Sequence, residues 1–305
     1  MKRLEITSNE EFMKPLILIK KDSSELLVNS SLCLIKGEVG SGKSRLAMNI
    51  MVGFSGVCDD LGLEYKPCPE DKYIIYISTE MSRYHLQRRR KHIIDKTGKE
   101  YEERLKFFDF AYVSAADKIK ELREVCTEFP PWVIIIDQLG DFVTNVNDID
   151  QSMELVKQLM NGIEKYDCGI IGIIHQNEDS GISSKARGHA GSIFEQKVVS
   201  SIAIADTAKG FTIQTTKLRE GRQIRIYAIF NEDSEMLKYT ELIKDEDLLT
   251  KINFPCTASD LDNQIATITK MSIATARNTK KRLQEEAKIK AVKEGKNEIF
   301  SRVLN

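Results

Sequence analysis

Residues 37–44 run Gly37-Glu38-Val39-Gly40-Ser41-Gly42-Lys43-Ser44. The spacing is that of a loop that cradles the phosphates of a nucleoside triphosphate. Its glycines let backbone N–H groups turn toward phosphate oxygens. Lys43 reaches the β- and γ-phosphates, and the Ser44 hydroxyl ligates Mg²⁺. Arg45 opens the helix that follows, so residues 37–45 form the candidate ATP-binding segment. Asp137 closes the apolar run Trp132-Val133-Ile134-Ile135-Ile136. An acid at the end of such a strand, after a P-loop, has the form of a Walker B motif, which makes Ser44 and Asp137 the metal candidates. Glu80 follows the run Tyr73–Thr79, where a carboxylate could orient the attacking water or take its proton. Gln176 follows Ile173-Ile174-His175, and an amide there can sense the γ-phosphate. His175 itself reads as a packed or hydrogen-bonded histidine. The four histidines lie apart, without zinc-ligand spacing or a Ser/His/Asp arrangement.

These residues need a scaffold that brings several strand ends together. Apolar runs at Leu32–Ile35, Tyr73–Ser78, Phe107–Val113, Val133–Asp137 and Gly169–His175 alternate with helical stretches at Arg45–Val52, Ser82–Lys96, Ala115–Glu128 and Gln151–Tyr166. Val133-Ile134-Ile135-Ile136 and Ile170-Ile171-Gly172-Ile173-Ile174 lack polar alternation. Strands covered on both faces look like this, so the sheet is expected to be parallel and doubly wound. Ligands bind such sheets at the strand ends. After the loop Glu178–Ser184, the segments Ser200–Asp206, Phe211–Leu218 and Gln223–Phe230 read as antiparallel strands with turns at Lys209-Gly210 and Glu220-Gly221. A charged stretch, 231–256, reads as a linker.

The tail, 257–305, differs in character. Asp260–Thr269, capped by Ser259, and Ser272–Ala287 read as helices. Lys288–Val292 and Glu298–Phe300 flank the turn Glu294-Gly295-Lys296-Asn297. Two helices and a hairpin suggest a small winged helix-turn-helix-like domain. The tail holds ten Lys and Arg against six acids, in a chain of 305 residues whose net charge is −1. Any basic surface must therefore be local. Arg277, Lys280 and Lys281 are its candidate DNA contacts. Six scattered cysteines without a C-x-x-C pair give no disulfide or metal framework. The first residues hold no apolar signal core, and no apolar run is long enough to span a bilayer. A cytoplasmic protein with no membrane partner is expected.

The string Ile77-Ser78-Thr79-Glu80-Met81-Ser82 followed by Arg88-Arg89-Arg90 resembles the segment after the second core strand in RecA-like ATPases of the DnaB/RepA hexameric helicase type. Ala186–Gln196 resembles that family's Arg/Gly/Ser-rich stretch ending in Glu-Gln. Thr216-Lys217-Leu218-Arg219-Glu220-Gly221-Arg222 resembles its Lys-x-Arg-x-Gly signature. The resemblance covers residues 31 to about 230. It implies an α/β, RecA-like, mostly parallel sheet flanked by helices, ATP and Mg²⁺ as cofactors, and Glu80 as the catalytic carboxylate. It also implies that Lys217 and Arg219 reach a neighbouring subunit's ATP in a homo-oligomer, a hexamer in that family. The short segment before Ser31 brings the chain closer in size to plasmid RepA-type members and stand-alone ATPases of mobile elements.

Three units are thus expected: a core at 1–230, a linker at 231–256 and a tail at 257–305. The expected activity is that of an oligomeric Mg-ATP-dependent DNA motor, with single-stranded DNA passing through a ring. The segment Asn177–Gly191, with Lys185, Arg187 and His189, is the candidate channel loop. Two other classes fit the same residues: an ATP-switched duplex-binding regulator, and a RecA-like scaffold that docks on protein partners.

Overall fold

A computed structural model describes residues 14–57, 60–176, 186–207, 210–232, 234–241, 245–269, 273–294 and 297–303. In chain order the elements are β1 (Ile17–Lys21), β2 (Ser24–Val28), β3 (Ser31–Gly37), α1 (Lys43–Phe54), β4 (Glu64–Tyr65), β5 (Tyr73–Ser78), α2 (Arg83–Thr97), β6 (Leu105–Asp109), α3 (Ala115–Glu128), β7 (Pro131–Asp137), α4 (Ile149–Tyr166), β8 (Gly169–His175), α5 (Gly188–Lys197), β9 (Ser200–Thr207), β10 (Gly210–Leu218), β11 (Arg225–Asn231), β12 (Met236–Tyr239), α6 (Asp245–Lys251), β13 (Cys256–Thr257), α7 (Ala258–Thr269), α8 (Ile273–Glu285), β14 (Ile289–Glu294) and β15 (Asn297–Arg302).

Nine strands make the central sheet, in the order β12-β11-β10-β9-β3-β8-β7-β5-β6. The six from β9 to β6 are parallel, and β10, β11 and β12 add an antiparallel edge. Every residue of β3 and β7 is buried, because successive side chains enter cores on opposite faces. Ile35 and Ile135 pack with Leu46, Ile50 and Phe54 of α1. Leu34 and Ile136 pack with Leu155, Leu159 and Ile163 of α4 and Phe194 of α5. The expected α/β sheet flanked by helices is therefore present.

Some boundaries differ from expectation. The strand expected at Phe107–Val113 is β6, and it stops at Asp109. The Asp109 carboxylate accepts from Ala111 N at 3.0 Å and turns the chain. A small sheet, β2-β1-β4, was not anticipated. Its hairpin turns at Asp22, whose φ of 53° lies in the left-handed region that Asp tolerates. The charged stretch 231–256 carries β12 and α6 rather than reading throughout as linker. β12 is fixed to the P-loop helix by the buried Asn49 amide, which donates to Leu237 O at 2.8 Å and accepts from Leu237 N at 3.0 Å. The exposed charges of this stretch masked its few apolar anchors.

The last elements share a core in which Leu248, Leu249 and Ile252 near α6 meet Leu261, Ile265, Leu283 and Phe300. β14 and β15 form an antiparallel hairpin with β13 beside β15. The first turn of α7 is held by Thr257 rather than Ser259, because Thr257 Oγ1 accepts from Asp260 N at 3.2 Å. Among the described residues, no helix is long and apolar enough to cross a membrane.

Candidate nucleotide-binding site

The P-loop leaves the C-terminal end of the central strand β3 and enters α1, so a helix N-terminus faces the space above the sheet. Gly40 and Gly42 take φ of 78° and 94°, a conformation that L side chains resist. Gly37 is required for space: a Cβ there would lie 2.4 Å from Ile204 O and 2.4 Å from Ser41 Oγ. Val39 is exposed at the loop tip, and the Ser41 hydroxyl is buried with no partner among the described residues. An orphaned hydroxyl in a loop of inward-turned backbone fits a site built for an anion.

Lys43 is buried and folds back on the loop. Its Nζ donates to Gly37 O at 3.0 Å and Glu38 O at 2.6 Å, and lies 3.1 Å from His175 Nδ1. Desolvation pulls the ammonium below the ordinary lysine value, against the attraction of Asp137, Glu80 and Glu38. Ser44 Oγ donates to Asp137 Oδ2 at 2.8 Å. Parallel pairing carries Asp137 there through β8, the strand between β7 and β3. Two adjacent hard oxygens beside a phosphate cradle fit Mg²⁺, which takes one or two protein oxygens plus phosphate and water.

Glu80 follows β5 and reaches the same space. Its Oε1 lies 3.5 Å from His175 Nε2. The hydrogen bond of His175, with the Lys43 charge behind it, holds the Glu80 carboxyl below its ordinary value despite partial desolvation. His175 is thus a residue that sequence reading set aside and the fold brings to the centre. Its Nδ1 faces the Lys43 donor, so Nε2 carries the proton toward Glu80. With the Gln138 amide turned to donate to Ile173 O at 2.6 Å, its oxygen also accepts from His175 Nε2 at 2.9 Å. The only sequence signal was a polar residue at the end of an Ile-rich strand. Gln176, the next residue, is buried and donates its backbone N–H to Gly37 O at 3.2 Å. It borders a cleft of about 620 Å³ together with Glu38, Gly40 and Ser41.

Arg45 turns away from the loop. Its guanidinium stacks on Phe230 at 4.1 Å and borders a second cavity, of about 610 Å³, with Met48, Met81 and Arg89. Lys217 and Arg219 are not at this end of the sheet. β10 runs antiparallel to β9, with Gly210 beside Thr207 near the P-loop end and Lys217 beside Ser201 at the other. Lys36 pairs with Ala203, so Gly37 stands level with Ile204, and Lys217 lies about three residues, roughly 10 Å, below that level along the strand. Its Nζ donates to Glu195 O at 2.6 Å and Gln196 O at 2.9 Å, while Arg219 reaches Lys197 O at 3.4 Å. Burial and the Arg219 charge lower the Lys217 value.

Arg187 is exposed, and its N–H donates to His175 O at 2.8 Å, so it borders the site. Lys185 lies outside the described residues. In the tail, Arg277 and Lys281 are exposed, one helical turn apart on α8. Lys280 is turned inward instead. It pairs with Asp262 of α7 at 2.7 Å and lies 5.5 Å from the Phe300 ring centroid, because a buried aspartate there needs a counter-charge.

A model of the AAA domain family matches residues 17–181. The chain belongs to that family, and its nucleotide site is that of a P-loop ATPase. No curated protein matches the chain.

Proposed function

We propose that the protein is an oligomeric Mg-ATP-dependent motor that acts on DNA, as a helicase or remodelling ATPase of the plasmid or mobile-element type. The observation that carries this reading is the position of Lys217 and Arg219. They stand at the end of β10 opposite the face where the P-loop opens, below the level of their own nucleotide site, which suits cations that act on a neighbour's nucleotide. Lys43 binds the β- and γ-phosphates, and the P-loop N–H groups and Ser41 hold their oxygens. Ser44 and Asp137 would hold Mg²⁺, which would supply charge neutralisation at the phosphate oxygens. Glu80 takes the proton of the attacking water, with His175 fixing its carboxylate, and Gln176 contacts the γ-phosphate end. Arg219 of one subunit stabilises the charge that develops at the next, with Lys217 beside it. A closed ring, six-membered by the resemblance, would bring DNA phosphates to Arg187 and Lys185.

The test is the ATPase rate with and without DNA. A motor is stimulated by single strands of any sequence. Equal rates without DNA, with single strands and with duplex would remove the motor reading.

A second reading rests on α8. If α7, α8 and the β14–β15 hairpin form a winged helix-turn-helix, Arg277 and Lys281 would meet a duplex, and ATP would control assembly without strand separation. A strong preference for one duplex sequence, without single-strand stimulation, would favour it.

A further inference from the structure

Asp137 has a second set of partners behind the nucleotide site. Tyr76 lies on β5, next to β7 in the sheet, between Ile75 and Ile77. Its ring is buried and stacks on Phe107 with centroids 5.2 Å apart. Its hydroxyl donates to Asp137 Oδ2 at 2.5 Å, the same oxygen that accepts from Ser44. Arg89 of α2 donates to the Tyr76 hydroxyl at 3.3 Å, and its Nη1 lies 3.9 Å from Asp137 Oδ2. A buried phenol that needs only a partner for its hydroxyl could bond any backbone carbonyl. Here it selects the one carboxylate that stands beside the P-loop serine, and a guanidinium backs it.

We propose that Tyr76 and Arg89 are positioning residues for Asp137. The phenol clamps one carboxylate oxygen and the guanidinium holds the phenol, so the carboxylate is presented to the divalent cation in one orientation. The pair rests on the reading of Ser44 and Asp137 as the metal anchor. Outer partners of this kind are worth roughly ten- to a hundredfold in metal affinity or activity.

The test is Mn²⁺ binding, read by electron paramagnetic resonance in the presence of a non-hydrolysable ATP analogue. It uses the full chain, with nucleotide affinity in the absence of metal measured alongside. Tyr76→Phe keeps the ring in the core and removes the clamp. Arg89→Gln changes a partly exposed side chain and leaves the core intact. Each is expected to weaken Mn²⁺ about tenfold or more, with metal-free nucleotide affinity and thermal unfolding little changed. The double variant should lose less than the product of the two, because both act on one carboxylate. Asp137→Asn separates the two ideas. If it loses Mn²⁺ while Tyr76→Phe and Arg89→Gln bind as the unmodified protein does, the anchor stands and the clamp is wrong. If Asp137→Asn binds Mn²⁺ normally, the anchor itself is wrong and the clamp falls with it.

Discussion

His175 joins Lys43 to Glu80: its Nδ1 lies 3.1 Å from the lysine Nζ and its Nε2 lies 3.5 Å from the glutamate Oε1. One imidazole therefore links the phosphate-binding cation to the carboxylate proposed as base. His175 is the first cause of the depressed Glu80 value. A depressed carboxyl stays ionised, and able to take a proton, until the pH falls below its ordinary range. His175→Ala removes that support, so Glu80 protonates at a higher pH. The acid limb of the kcat profile should move to higher pH, with the alkaline limb in place. A uniform loss of rate at all pH values would mean that His175 acts only through packing.

Lys43 makes three polar contacts from a buried position, two of them with loop carbonyls. Its charge supports both binding and the developing transition state. Lys43→Ala should lower turnover roughly a hundred- to a thousandfold, as loss of one preorganised donor does. Nucleotide titration of the folded variant checks it. Near-normal hydrolysis would overturn the role given to this lysine.

The chemistry of the site was legible where one residue type serves one purpose. The P-loop spacing names Lys43 and Ser44, and an acid after five apolar residues marks Asp137. The parallel sheet followed from strands without polar alternation. What was hidden depends on strands far apart in sequence. Tyr76 reads as one more large residue of a core strand until β5 is laid beside β7. His175 reads as a strand-end residue until β8 is paired with β3. Lys280 looked like its neighbours Arg277 and Lys281, because sequence does not show which side of α8 meets α7. β12 was hidden for a similar reason, since its partners are β11 and the distant Asn49 on α1.

Glu80→Gln keeps the shape of the side chain and removes its ability to take a proton. Its exposed position means that the fold does not depend on it. Nucleotide affinity should be retained while hydrolysis falls about a hundred- to ten-thousandfold. Equilibrium binding and single-turnover hydrolysis separate the two. A parallel fall in both would make Glu80 a structural acid.

Arg219 lies at the sheet end remote from its own P-loop. Arg219→Ala should assemble normally and hydrolyse slowly, by roughly a thousandfold or more if it serves as a finger. Mixed with Lys43→Ala protein, it should regain part of the rate, because hybrid interfaces then join an intact P-loop to an intact Arg219. Mixtures that exchange subunits without any recovery would rule out action across a boundary.

The three tail cations should separate by experiment. Lys280 closes the contact between α7 and α8 through Asp262 and keeps only 15% side-chain exposure, against 68% for Arg277 and 78% for Lys281. Lys280→Met should therefore destabilise the tail by about 1–3 kcal/mol, the scale of a lost charged hydrogen bond. The loss is limited because Arg277 remains 3.4 Å from the same aspartate. Arg277→Gln with Lys281→Gln should leave stability nearly unchanged and act on duplex binding instead. Two phosphate contacts fewer lower the slope of log affinity against log salt by about two. Fluorescence anisotropy over a salt series reads the slope, and thermal unfolding reads the stability. The ATPase of the core should persist in both variants, since each change lies beyond β12. An unchanged salt slope in the double variant would assign α8 to packing or protein docking rather than to DNA.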